Sequence, residues 1–281
     1  MSDPLEDEFG DIIKKARKGM GYSPEDTQRL SGVDAGALAA LESYRRAPSP
    51  EEVRKLSDAL RLNTEKLAEI AGRTWSPAPE PWLAEKPVIV KDIHVDVGGY
   101  VENCYLIGCS STRRVIVVDP GGSPGLIEDE VSACGLLPEA IVITHGHSDH
   151  VGAVDALAAR LGVTTVIGHN EALKSVESNR VSLRHVADGD EFPIGEIRFR
   201  VLHTPGHTLG SCCFVTGLVC CVGDTLFAGS VGGAMGGTAS YQTLLGSIRS
   251  KLFTLPEETA LLPGHGPATT VGEELRHNPF F

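Results

Sequence analysis

Residues 8–72 carry apolar side chains at helical spacing. In EFGDIIKKARKGMG, Phe9, Ile12, Ile13 and Ala16 fall on one helical face and the glycines that follow offer a stop. SPEDTQRLSG places Ser23 as an N-cap, Pro24 at the first helical position and Gly32 as terminator. DAGALAALESY starts from a second cap, Asp34; SPEEVRKLSDALRL repeats the Ser-Pro opening, and NTEKLAEIAG completes a set of five short helices. The pattern predicts a small all-α region over residues 1–72, with a helix-turn-helix where Gly32 joins the second and third helices. Residues 73–87, RTWSPAPEPWLAEKP, hold four prolines and resist both helix and central strand, as a semi-rigid linker would.

Beyond the linker the period changes from helix to strand. KPVIVKDIHVDVGGYVENCYLIGC and RRVIVVDPGG are β-rich runs punctuated by glycine or asparagine turns. AIVITHGHSDH reads as a buried strand over 140–143 running into a polar loop, and GAVDALAARLG as a helix followed by the strand VTTVIGH. EIRFRVLHTPGHT sets Ile197, Phe199 and Val201 against Arg198, Arg200 and Leu202, a half-buried strand ending in a Pro-Gly turn. SCCFVTG and LVCCVGDTLF form a hairpin, YQTLLGSIRSKLFTL a helix, and TALLPGHG a last strand and turn. Strands interleaved with helices over residues 88–281 imply a large α/β domain.

Composition narrows the function classes. With 41% apolar and 22% charged residues, the chain can bury a sizeable core, and no run approaches a bilayer-spanning length. The acidic opening MSDPLEDEFGD predicts no secretory signal, and the seven cysteines contain no C-x-x-C pair, so a reducing cytoplasm is the expected location. A net charge of -12 opposes whole-molecule attraction to nucleic acid or anionic membrane.

The chemistry concentrates where apolar strands end in turns. His145, His147, Asp149 and His150 follow AIVIT; His207 follows FRVLHTP; Asp224 follows LVCCVG; His265 follows ALLPG. So many imidazoles and carboxylates in short apolar surroundings would be costly to desolvate without a cation. Seven nitrogen and oxygen ligands suit two zinc ions, or other borderline divalent metals such as iron or manganese, better than one. His94, His169, His185, His203 and His277 stand outside these motifs and are expected to be ordinary core or surface residues.

Two resemblances follow from these residues. The stretch from Gly21 to Gly72 is similar to the phage-repressor (Cro/CI-type) helix-turn-helix family, which implies a third helix in the major groove and pairing as a homodimer. Here that third helix is alanine-rich, and residues 1–72 carry 11 Lys and Arg against 14 Asp and Glu, so a docking or dimerisation role competes with DNA binding. Over residues 88–281, ENCYLIG, VVDPGG, THGHSDH, TPGHT, GDTLF, PGHG and the tail ELRHNPFF resemble the metallo-β-lactamase-fold hydrolases, glyoxalase II-like in flavour.

That second resemblance implies an αββα sandwich with metals at one edge of its two sheets. It assigns His145, His147 and His207 to one metal, Asp149, His150 and His265 to a second, and Asp224 to both. A dinuclear-metal-bound hydroxide would attack a thioester or related ester of a small-molecule substrate. Asp149 would orient the nucleophile and accept its proton, and Asp224 would hold the pair together. An iron-dependent persulfide dioxygenase-like enzyme keeps a similar histidine cluster and is the alternative, as is a DNA-binding or scaffolding regulator with a metabolite-sensing metal domain. The loop after Asp224, FAGSVGGAMGGTASY, contains no Lys or Arg to clamp an anionic substrate and reads as a mobile lid or a tight turn.

Overall fold

The computed structural model describes residues 4–78, 87–234 and 236–281, so most of the proline-rich linker expected over 73–87 lies outside the described residues. Five helices come first: α1 (Phe9–Gly19), α2 (Pro24–Ser31), α3 (Ala35–Leu41), α4 (Pro50–Leu60) and α5 (Thr64–Gly72). Their ends form as the sequence predicts. Ser23 Oγ accepts from the Asp26 amide at 3.0 Å, Asp34 accepts from the amides of Gly36 and Ala37, and Gly32 closes α2 at φ 72°.

The remainder runs β1 (Val88–Val97), β2 (Tyr100–Cys109), β3 (Arg114–Val118), α6 (Pro124–Ala133), β4 (Leu137–Ile143), α7 (Ser148–Val151), α8 (Val154–Leu161), β5 (Thr165–His169) and α9 (Asn170–Leu173). It continues with β6 (Ser182–Val186), β7 (Glu191–Ile194), β8 (Ile197–His203), β9 (Cys212–Thr216), β10 (Val219–Gly223), β11 (Leu226–Phe227) and β12 (Ser230–Val231). It closes with α10 (Gly237–Lys251), β13 (Ala260–Pro263), β14 (Thr269–Thr270) and α11 (Val271–His277). One six-stranded sheet has the order β1-β2-β3-β4-β5-β6 and the other β14-β13-β10-β9-β8-β7.

Alternation along the strands decides what each face meets. Tyr105, Ile107, Ile116, Val118 and Val142 of the first sheet pack on Phe199, Val201, Phe214 and Leu262 of the second, forming the inner core. The opposite face of the first sheet, with Leu106, Val115, Val117 and Ile141, is covered by Ile127 and Val131 of α6 and Val154 and Leu157 of α8. The opposite face of the second, with Leu202, Cys213, Val215 and Cys220, belongs to one core with Leu244 and Ile248 of α10 and with Ile12, Ile13, Leu56, Leu60 and Leu67 of the helical region. One outer core therefore runs from the second sheet through α10 and α11 into the helical region, with α1 packing on α10 and α5 on α11.

Three local outcomes differ from the sequence reading. Leu202, phased there with the polar side of its strand, is buried because this helical layer covers it. The loop expected around Asp149 contains a helical turn, α7, so Asp149 and His150 leave the backbone roughly 100° apart. Part of the glycine-rich run expected as a lid or turn, Gly237 to Ser240, instead forms the first turn of α10. The sequence reading also passed over α6, β6 and β7, whose apolar patterns are short.

The chain's two ends are stitched together. The Asn63 amide donates to Pro279 O, Lys66 Nζ donates to Leu275 O and Phe281 O at 2.8 Å, and Trp75 stacks on His277 with ring centres 4.8 Å apart. On the outward side of α3, Gly36 and Ala39 face solvent. No described helix is long and apolar enough to cross a membrane.

Because Ile12 lies fully buried in the core that both regions share, Ile12→Ala is expected to cost about 2–5 kcal/mol. It should lower a single melting transition for the whole chain, read by calorimetry. Two separated transitions, with only the lower one shifted, would show that the helical region folds apart from the sheets.

Candidate metal centre

Each candidate ligand sits where a strand hands over to a turn at the same end of the sandwich. His145 and His147 follow β4, His207 follows β8, Asp224 follows β10 and His265 follows β13, while Asp149 and His150 stand on α7. All seven are brought together. His145, His147, His207 and Asp224 form one group of facing donor atoms, and Asp149, His150 and His265 form another.

Asp224 joins the two groups through its separate oxygens. Oδ2 faces His207 Nε2 at 3.5 Å and His145 Nε2 at 3.9 Å, while Oδ1 faces His150 Nε2 at 3.4 Å and His265 Nε2 at 3.9 Å. In the first group His147 Nδ1 approaches both His145 Nε2 and His207 Nε2 to 3.0 Å. In the second, His265 Nε2 lies 3.5 Å from Asp149 Oδ2.

The other ring nitrogens are held by the surrounding chain, which fixes which edge of each imidazole points inward. His207 Nδ1 donates to Gly233 O at 2.7 Å and His265 Nδ1 to Val101 O at 2.8 Å. His150 Nδ1 donates to Asp119 Oδ2 at 3.0 Å, and His145 Nδ1 to Thr144 Oγ1 at 3.1 Å. Thr144 Oγ1 donates in turn to Asp119 Oδ2, and the Thr144 amide to Asp119 Oδ1 at 2.7 Å. One carboxylate thus orients two histidines, one directly and one through a threonine.

The arrangement passes a test of fit for divalent cations. His150 Nε2 and Asp224 Oδ1 are buried without a partner in hydrogen-bonding geometry among the described residues, a costly state that a cation would relieve. Gly264 lies against the same pair: a Cβ there would come within 2.5 Å of Asp224 Oδ1 and of the His150 ring, so any larger residue would fill the space between the ligands. Burial holds His145 and His207 below the ordinary imidazole range, whereas against burial Asp224 and Asp119 hold His150 above it and Asp149 holds His265 above it. Burial alone would raise Asp224, but His150, His145 and His207 hold its carboxyl well below the usual range. Two groups of nitrogen and oxygen donors sharing one carboxylate can hold two cations.

His147, Asp149 and His265 are the partly exposed members of the centre, the last two on its cleft side. With Asp224 those two open onto a cleft of about 370 Å³ walled by Tyr100, Val101, Phe227, Gly233 and Glu6. The hydrogen bond to His265 lowers the Asp149 carboxyl below its ordinary value, so it stays ionised beside the cleft.

Several residues that serve the site escaped the sequence reading. Asp119 follows β3 in VVDPGG, a strand end like those that carry the ligands, and that position was its available signal. Asn103 and Tyr105, inside ENCYLIG, bind the turn that presents His265: Asn103 Nδ2 donates to Gly266 O at 2.8 Å and Tyr105 OH to Pro263 O at 2.8 Å. Glu102 is fully buried, 3.7 Å from His150 Nδ1, and burial pushes its pKa well up. Glu6 comes from the helical region, and nothing local announces it. The five histidines set aside join no metal-capable group among the described residues; His169 and His203 stack on each other, and His277 donates to Glu69.

Comparison with known proteins agrees with this geometry. The model of the family described as metallo-beta-lactamase superfamily matches residues 97–265, and a helix-turn-helix family model matches residues 13–67. The chain is 36% identical over 202 residues to a probable metallo-hydrolase, YqgX, of Bacillus subtilis, covering 66% of this chain and 94% of that protein. It is 32% identical over 204 residues to the hydroxyacylglutathione hydrolase GloC of Haemophilus influenzae, covering 66% and 95%. Among solved structures, ETHE1 from Myxococcus xanthus aligns with TM-score 0.59 and 31% identity, over 68% of this chain and 83% of that one. A protein crystallised in a di-iron-bound form aligns with TM-score 0.56 and 34% identity, over 67% of this chain and all of the other.

Asp119→Asn keeps the shape but removes the charge that orients His150 and Thr144. Metal affinity, measured by competition with a chromophoric chelator, is expected to fall about 10- to 100-fold. Unchanged affinity would mean that the ring orientations do not depend on Asp119.

Proposed function

We propose, since the chain belongs to the metallo-beta-lactamase superfamily, that it is a metal-dependent hydrolase of thioesters or related esters working through a pair of divalent ions. The observation that carries the reading is Asp224, whose two oxygens face two separate groups of donors. His145, His147 and His207 would hold one ion, Asp149, His150 and His265 the second, and Asp224 both; zinc, iron and manganese all accept this donor set. Such a pair supplies a hydroxide nucleophile at neutral pH and polarises the acyl carbonyl.

The chain's own residues then do the rest. Asp149, ionised and open to the cleft, orients the attacking water and takes its proton. His265 Nδ1 donates to Val101 O, which turns its Nε2 toward Asp149. Phe227 and Val101 provide an apolar wall against which an acyl chain excludes water. The relative named hydroxyacylglutathione hydrolase supports the thioester class.

The helical region supports the enzyme rather than reading DNA. Its third helix offers solvent Gly36 and Ala39, neither of which can reach a base edge with a long donor, and its net charge over residues 1–72 is -3. Its apolar side is committed to the core it shares with α10.

The test combines metal content per chain, thioester hydrolysis and oxygen uptake on one preparation purified without added metal. About two divalent ions with thioester turnover are expected. One iron with persulfide-dependent oxygen uptake would replace hydrolysis by dioxygenase chemistry, and a salt-sensitive DNA shift with neither activity would favour a regulator. Asp224→Ala should lose most turnover, about 100-fold or more if both ions depend on it, together with part of the metal. Full turnover in that variant would sink the two-ion reading.

A further inference from the structure

The strand ends build most of the cleft, but one wall comes from far away in sequence. Residues 4–8, ahead of α1, cross the mouth of the metal centre and place Glu6 beside Asp149, Asp224, Phe227 and His265. The crossing is fixed at two points. Glu6 lies against Gly266, the residue after the ligand His265: a Cβ on Gly266 would come within 2.8 Å of the Glu6 Cβ and 2.9 Å of its amide nitrogen. Next to it, the buried Asp7 pairs with Lys15, which also donates to Val231 O at 2.8 Å and lies over the Phe227 ring at 4.6 Å.

Apart from the ions the centre would hold, the side chains at this mouth carry one sign of charge. The described residues that line the cleft include three carboxylates, Glu6, Asp149 and Asp224, and no Lys or Arg. Two of them belong to the metal centre, where coordination and His265 engage them. Glu6 remains, an exposed residue whose carboxyl pKa is raised by burial at the cleft against the pull of His265 and Lys15, and which hydrogen-bonds to no described cation. Lys15, the cation near Phe227, is held by Asp7 and Val231. The remaining wall is aromatic or aliphatic, with Tyr100 77% exposed, Val101 and Phe227. An aromatic face next to a free carboxylate is the chemistry that binds an alkylated or primary ammonium.

We propose that Glu6 is a specificity-determining residue that selects acyl substrates bearing a positive charge on the arm at the cleft mouth and disfavours anionic leaving groups. The inference rests on the hydrolase reading for its substrates, though not for its measurement. It gives the helical region a part in the reaction: the segment ahead of its first helix supplies the selecting group.

The test uses the full-length, metal-loaded protein and three acetyl thioesters that differ in charge: acetylthiocholine, S-acetyl-N-acetylcysteamine and S-acetyl-3-mercaptopropionate. The expected order of kcat/KM is cationic, neutral, anionic, with the cationic ester ahead of the anionic one by about tenfold at low salt and by less as ionic strength rises. Glu6→Gln should bring the cationic-to-anionic ratio near one, and Glu6→Lys should invert it. A merely structural role for the segment would slow all three esters alike and leave the ratio unmoved, which would overturn the proposal. The free thiols thiocholine and 3-mercaptopropionate, titrated calorimetrically into the metal-loaded protein, read the same ratio without turnover. If no thioester is cleaved but the thiol ratio still collapses in Glu6→Gln, the hydrolase reading fails and the charge selection stands. If neither ratio responds to Glu6, the selection fails whatever the activity.

Discussion

Seven imidazoles and carboxylates packed at one end of two sheets cannot share that space unless something compensates their desolvation. The inner core of the sandwich makes them converge, since Tyr105, Val118, Val142, Val201, Phe214 and Leu262 fix the two sheets face to face, and the ligands ride on the ends of those strands. The turns beyond have little freedom. Asn103 and Tyr105 pin the turn that carries His265, Gly233 pins His207, and Asp119 pins His150 and, through Thr144, His145. Two orphaned polar atoms at the centre, His150 Nε2 and Asp224 Oδ1, mark where the compensation is missing until a cation supplies it.

The helical region answers a different need. A two-sheet sandwich with one helix, α10, on its second outer face would leave Leu202, Val215 and Cys220 incompletely covered. The helical region joins that layer through α1 on α10 and α5 on α11, and residues 275–281 lock it through Lys66, Asn63, Glu69 and Trp75. A helix-turn-helix family match over residues 13–67 is thus compatible with a part whose apolar side faces an enzyme core and whose third helix offers solvent only small side chains.

Much of this was legible in the sequence because its signals are local. Helix caps at Ser23, Asp34 and Ser49 act over three or four residues, and period-two alternation along Ile197–Val201 acts over five. The seven candidate ligands stood out, and the fold brings them together, because each follows an apolar strand or stands on the turn after one. What escaped depends on distance in sequence. Leu202 looked polar in phase until helices from elsewhere covered it, Asp119 binds Thr144 and His150, 25 and 31 residues away, and Glu6 meets His265 only through the folded whole. The first turn of α10 was hidden by glycines whose low helix propensity is outweighed by packing.

The stitching of the two chain ends has a consequence for how the protein is made. Lys15 waits for Val231, 216 residues later, and Lys66 waits for Phe281, 215 residues later. During synthesis the helical region therefore emerges well before α10, the helix that packs on α1 and closes the core they share. A ribosome pausing between the two would hold a sticky, half-covered bundle in solution, and the mouth beside Glu6 would close only after His265 had emerged.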